Sequence, residues 1–145
     1  MKDAAETREA LPHKFPFAML DRVIEVVPGK HAAAEKTITS DSFFGNGRPF
    51  FPELFLIEAL AQLGAVAAVP AGAGTGTKGP REDAIGYLAG INGAKFYIRP
   101  RPGDKVMFSV DYEAGMGGLF RFKGKATVGG ELAAECGMTF TAPGR

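Results

Sequence analysis

Three stretches in the second half of the chain alternate apolar and polar residues. Val106, Phe108, Val110 and Tyr112 interleave with Lys105, Met107, Ser109 and Asp111. Phe120, Phe122, Gly124, Ala126 and Val128 interleave with Arg121, Lys123, Lys125 and Thr127. Leu132, Ala134, Cys136, Met138 and Phe140 interleave with Ala133, Glu135, Gly137 and Thr139. A period of two with one apolar face predicts half-buried antiparallel strands. Gly129-Gly130 fits a two-residue hairpin turn between the last pair, and residues 115–118 serve the pair before it. A longer strand is predicted over 85–98, turned into the next by Arg101-Pro102-Gly103-Asp104. Earlier in the chain, 23–27 reads as a strand ended by Pro28-Gly29, with 30–39 as its partner.

The period changes in the middle. From Leu54 to Val69 almost every residue is apolar, broken by Glu58 and Gln62. The pattern predicts a helix over 52–69, with Pro52 at its first position, Glu53 facing the positive end of its dipole, and Pro70 as its stop. A helix apolar nearly all round has to be covered by the sheet. It falls short of the roughly 20 residues that a transmembrane helix needs, so it reads as a core helix and not a membrane anchor. Residues 71–80 form a Gly-rich loop, and 1–10 read as a flexible leader. The chain is predicted to be one α+β domain spanning 1–145, with strands on both sides of one long helix.

Composition narrows the function. The 145 residues are 46% hydrophobic and 23% charged, with a formal net charge of +1. Such a balance gives no electrostatic footprint for nucleic acid. The single cysteine, Cys136, rules out an intramolecular disulfide and fits a reducing cytoplasm. Neither His13 nor His31 has metal-ligand spacing, so no metal and no cofactor is expected. No Gly-x-Ser-x-Gly nucleophile motif is present, and the glycines of 72–79 lack the context of a phosphate loop.

Glu58 is the most informative position. A lone carboxylate among apolar neighbours is expected to be buried, and such groups serve general acid–base chemistry. Gln62 shares its helix face four residues on. The alternative is that Glu58 points to solvent or pairs with an arginine of the sheet. His13, in a Pro- and Phe-rich segment, reads as a structural hydrogen-bonding group before it reads as a base, and His31 reads as exposed and without a partner. Arg121, Lys123 and Lys125 form a basic stripe, with Arg99, Arg101 and Lys105 nearby in sequence. The stripe reads as a solvated sheet face, or as a docking patch for an acidic partner.

Several of these motifs resemble one family in order. They are Leu11 to Phe17 with Leu20-Asp21-Arg22-Val23; Phe43-Phe44; Pro49 to Pro52; Glu58-Ala59-Leu60-Ala61-Gln62; Ala89-Gly90-Ile91; Ala94-Lys95-Phe96; Pro102-Gly103-Asp104; and Arg121-Phe122-Lys123-Gly124. The pattern, from about Leu11 to Thr141, is similar to that of 3-hydroxyacyl-[acyl-carrier-protein] dehydratases of the FabZ type. The resemblance implies a hot-dog fold, an antiparallel sheet wrapped around one long central helix. It implies a homodimer or higher homo-oligomer with acyl-thioester sites at the subunit interface, and carrier-protein or coenzyme A thioesters as partners. In active members of the family a loop histidine and the helix glutamate eliminate water. Here the glutamate slot is filled by Glu58, the histidine slot by Asn46, and Glu53 stands where the family begins its helix with glycine. An amide does not titrate in this range, so Asn46 cannot be a base.

The expected catalytic residues are therefore Glu58 and Asn46. Gln62, Glu53, His13 and Phe51 are expected around the substrate. Dehydration by an altered site, thioester hydrolysis through Glu58, and a non-catalytic subunit that binds acyl groups or carrier protein all remain open.

Overall fold

Every predicted strand is a strand in the computed structural model, which describes residues 6, 9–11, 14, 17–40, 49–68 and 87–141. The elements are β1 (Arg22–Val27), β2 (His31–Thr37), α1 (Leu54–Ala68), β3 (Leu88–Phe96), β4 (Lys105–Met116), β5 (Leu119–Val128) and β6 (Glu131–Thr141). They form one sheet in the order β1-β2-β4-β5-β6-β3. All five pairings are antiparallel. Helix α1 packs across this sheet against β1, β2, β4, β5 and β6. This is the α+β hot-dog arrangement that the motifs implied.

The turns follow their residues. Gly129 and Gly130 have φ of 57° and 83°, and Gly117 and Gly118 have 62° and 81°. Positive φ at both central positions matches the right-handed twist of the strands they join. The turn expected over 115–118 is thus narrower, because β4 runs on to Met116 across a register shift between Tyr112 and Ala114. At 101–104 the Asp104 N–H donates to the Arg101 carbonyl at 2.9 Å, and the Asp104 carboxylate accepts from the Arg101 N–H at 2.8 Å.

The alanines of β2 look like poor strand formers, but the register explains them. Ala34 sits beside Phe108, which faces Ala126 on its other side; Ala32 sits beside Val110, which faces Gly124. Ala32, Ala34, Val110 and Ala126 are fully buried, so small residues alternate with large ones under the helix. Gly64 lies where the helix comes close to the sheet. A Cβ there stands 2.6 Å from Phe140 Cζ. The Phe140 ring is buried and packs edge-on against Phe122 with centroids 5.9 Å apart, so it has little room to yield. Gly64→Ala is expected to cost about 1–3 kcal/mol through overpacking. Urea titration checks this: the midpoint falls and the slope is unchanged.

Helix α1 starts later than expected. Phe55 N–H donates to the Pro52 carbonyl and Leu56 N–H to the Glu53 carbonyl, each at 3.0 Å. These i→i+3 bonds close a tight turn before the regular helix, so Pro52 and Glu53 precede α1 instead of opening it. Strand β2 ends at Thr37, because Ile38 leaves the ladder and its N–H pairs with the Asp104 carbonyl at 2.9 Å. The expected start of β3 at residue 85 and the loop at 71–80 lie outside the described residues. No helix among the described residues is long and apolar enough to cross a membrane.

Candidate active site

Gln62 organises the polar interior. It is 1% exposed and is the only buried polar side chain of the core among the described residues. Its Oε1 accepts the Met19 N–H at 2.9 Å. Its Nε2 donates to the Phe17 carbonyl at 2.8 Å and to Glu58 Oε1 at 3.0 Å. Both donor hydrogens and one acceptor lone pair are in use. The irregular segment before β1 therefore crosses α1 where Glu58 and Gln62 lie, one turn apart.

Glu58 is half-buried rather than buried. The expectation of a carboxylate enclosed in the core is corrected: it bonds to Gln62 and is only partly covered. Phe17 packs edge-on against Phe55 with centroids 6.4 Å apart, and Phe51 lies 5.9 Å from Phe55. The carboxylate thus sits on a helix whose preceding turn carries an aromatic cluster. Phe51, expected beside the substrate, is 1% exposed and belongs to that cluster, with its N–H donated to the Pro100 carbonyl at 2.7 Å. Asn46 and His13 lie outside the described residues.

Glu53 pairs with Arg99, whose guanidinium also lies 4.8 Å above the Phe50 ring. The sequence placed Arg99 only in a loose basic group. Its signal is the Arg-Pro dipeptide, whose proline carbonyl holds Phe51.

The remaining candidates sort plainly. His31 is not without a partner: its Nδ1 lies 2.7 Å from Asp111 Oδ1, and its Nε2 lies 3.8 Å from Glu25 Oε2. The register explains this, since His31 faces Asp111 across the β2–β4 ladder. Arg121, Lys123 and Lys125 alternate outward on β5, and Arg121 lies 3.4 Å from Glu113. Cys136 is buried, and burial pushes its thiol up to about 11, so it is no nucleophile near neutral pH. Among the described residues no three of His, Cys, Asp and Glu converge on a metal position.

Known proteins are similar to this chain in sequence and in architecture. A family model described as a FabA-like domain matches residues 11–137. The 3-hydroxyacyl-[acyl-carrier-protein] dehydratase FabZ of Bacillus velezensis is 38% identical over 144 residues, covering 97% of each chain. The enzyme of the same name from Bacillus subtilis is 35% identical over the same length and coverage. Among solved structures, the dehydratase heterocomplex ApeI:P from Xenorhabdus doucetiae superposes with a TM-score of 0.72 at 18% identity, covering 94% of this chain and 90% of that one. A hypothetical thioesterase from Streptococcus pneumoniae with coenzyme A gives 0.65 at 8% identity, covering 86% and 89%. The structural likenesses show the fold.

Proposed function

The chain belongs to the FabA-like family, among the FabZ-type dehydratases, and on that premise we propose that it acts in the cytoplasm on 3-hydroxyacyl or enoyl thioesters of acyl-carrier protein or coenzyme A. The observation that carries this reading is the Glu58 carboxylate, held at 3.0 Å by a Gln62 that is itself locked by two backbone partners. A group fixed in this way can meet a substrate proton in one geometry.

In this reading Glu58 both takes and returns the proton. As a carboxylate it takes the C2 proton of the 3-hydroxyacyl group. The released electron pair forms the C2=C3 double bond and expels the C3 hydroxyl, which departs as water on receiving the proton from the same carboxyl group. Asn46 donates a hydrogen bond to the hydroxyl or to the thioester oxygen. Hydration of an enoyl thioester runs through the same steps in reverse.

Two further readings follow from the resemblance, which puts Asn46 at the histidine position. Glu58 can instead activate a water for thioester hydrolysis. Alternatively the chain serves as a subunit that binds acyl groups or carrier protein without turnover. The deciding experiment offers the wild-type protein crotonyl-CoA and saturated acyl-CoA side by side. Hydration of crotonyl-CoA, with no thiol released from either substrate, supports the dehydratase. Thiol release alone supports the hydrolase, and binding with no turnover supports the subunit.

The assembly proposed is a homodimer formed through β3. Among the described residues this strand pairs only with β6, and Leu88 and Ile91 on it are 40% and 45% exposed. An unpaired apolar edge is a template for a second strand. Sedimentation equilibrium is expected to give twice the 15.3 kDa of one chain, and Ile91→Lys is expected to shift the protein to the single-chain mass. A wild-type protein that sediments as one chain at micromolar concentration rules the dimer out.

A further inference from the structure

Gln62 meets Glu58 with an N–H, and the backbone around it leaves no alternative. The two ends of a side-chain amide are alike in shape but opposite in hydrogen bonding. The Met19 N–H can only donate, so it takes Oε1, at 2.9 Å. The Phe17 carbonyl can only accept, so it takes Nε2, at 2.8 Å. Turning the amide over sets donor against donor and acceptor against acceptor around a side chain that is 1% exposed. The segment that imposes this order is itself pinned. Met19 and Leu20 are buried, the Asp21 N–H donates to the Glu35 carbonyl at 3.0 Å, and the Asp21 carboxylate accepts the Thr37 N–H at 2.8 Å. The second Nε2 hydrogen therefore points at Glu58 Oε1, 3.0 Å away.

We propose that Gln62 is a positioning residue that separates the two oxygens of Glu58: Oε1 stays an acceptor of the Gln62 N–H throughout turnover, and the proton enters and leaves through Oε2. The inference rests on the acyl-thioester reading above. A proton on Oε1 makes that oxygen a hydroxyl, which needs an acceptor where Gln62 offers another hydrogen. A proton on Oε2 leaves Oε1 as the carbonyl oxygen, and the bond to Gln62 is kept. The C2–H bond breaks as the Oε2–H bond forms, and its electron pair becomes the second C2–C3 bond. The C3–O pair leaves on oxygen, which takes the proton back from Oε2. Neither the amide nor the chain ahead of β1 has to rearrange as the proton moves, so the carboxyl group keeps one orientation through the cycle.

Neutron diffraction from deuterium-exchanged crystals of the wild-type protein tests the atoms directly, at a pD where the Glu58 carboxyl carries a deuteron. That deuteron is expected on Oε2, with the two Gln62 deuterons aimed at the Phe17 carbonyl and at Oε1. A deuteron on Oε1, or an amide oxygen turned toward Glu58, overturns the proposal. Kinetics test the role with Gln62→Met, which keeps the length of the side chain and gives Glu58 no N–H. Its kcat for crotonyl-CoA hydration, per folded protein, is expected to fall about tenfold with KM changed less than about twofold. If Oε1 carries the proton instead, Gln62→Met uncovers it and kcat holds or rises, which overturns the proposal. A Gln62 that only holds the fold lowers the thermal midpoint and leaves the kcat of the folded protein unchanged, which overturns it equally. If the wild type turns over no thioester, the functional reading fails on its own account. The neutron result needs neither turnover nor a variant that folds, and it then decides which oxygen of Glu58 takes the proton.

Discussion

Glu58→Gln is expected to lower turnover of the thioester at least a hundredfold while leaving the fold intact. The amide keeps the size and shape of the side chain, and its oxygen can still accept the Gln62 Nε2 hydrogen now given to Glu58 Oε1 at 3.0 Å. What it loses is the ability to take and return a proton, a contribution worth on the order of 10²–10⁴ in rate. The other partners of Gln62, the Met19 N–H and the Phe17 carbonyl, are backbone groups that cannot exchange a proton in its place. The thermal midpoint should stay within about 2 °C of wild type, because the half-buried position exchanges one hydrogen-bonded polar group for another. Turnover within tenfold of wild type would remove Glu58 from the mechanism.

Gln62→Leu is expected to lower stability and turnover together. Leucine fills a similar volume but leaves the Met19 N–H without its acceptor in a place where Met19 is fully buried. An orphaned buried donor costs about 1–3 kcal/mol. The Phe17 carbonyl loses its donor too, but Phe17 is 42% exposed, so water replaces much of that bond. Leucine also adds apolar contact, so the net loss is about 2 kcal/mol, which lowers the thermal midpoint by roughly 4–8 °C in a domain of this length. Turnover should fall as well, because Glu58 loses the donor that orients it. Retained stability together with reduced turnover would mean that Gln62 serves the carboxylate alone and that the segment before β1 is held by other contacts.

The features legible in the sequence are those with a short-range signature. Alternation marks β4, β5 and β6 because one face of each lies under the helix. Paired glycines mark the hairpin turns because those turns need positive φ. The Glu58–Gln62 bond was legible because a four-residue spacing on a helix brings side chains together. Interactions that depend on pairing across the sheet were not. His31 meets Asp111 at a sequence separation of 80 residues, through a register that neither strand reveals alone. Arg99 meets Glu53 across a similarly silent gap, between a loop and the turn before a helix. The backbone partners of Gln62 were hidden because the segment around Phe17 and Met19 has no periodicity. The start of α1 was misplaced because proline is as much at home in the tight turn before a helix as in its first position.

The sheet order has a consequence for how the chain becomes a protein. Strand β3 is laid down before β4, β5 and β6, yet among the described residues its only neighbour in the sheet is β6. Leu88 waits for Phe140, and Phe96 for Ala134, while the strands made in between pair with their sequence neighbours as they appear. During synthesis β3 thus spends some forty residues with neither edge satisfied, the state in which strands join the wrong chain. The register shifts at Gly90 and after Asn92, with Gly93 at a φ of 60°, break the strand's flat edge. That irregularity shortens the regular run over which the waiting strand could pair with a wrong partner.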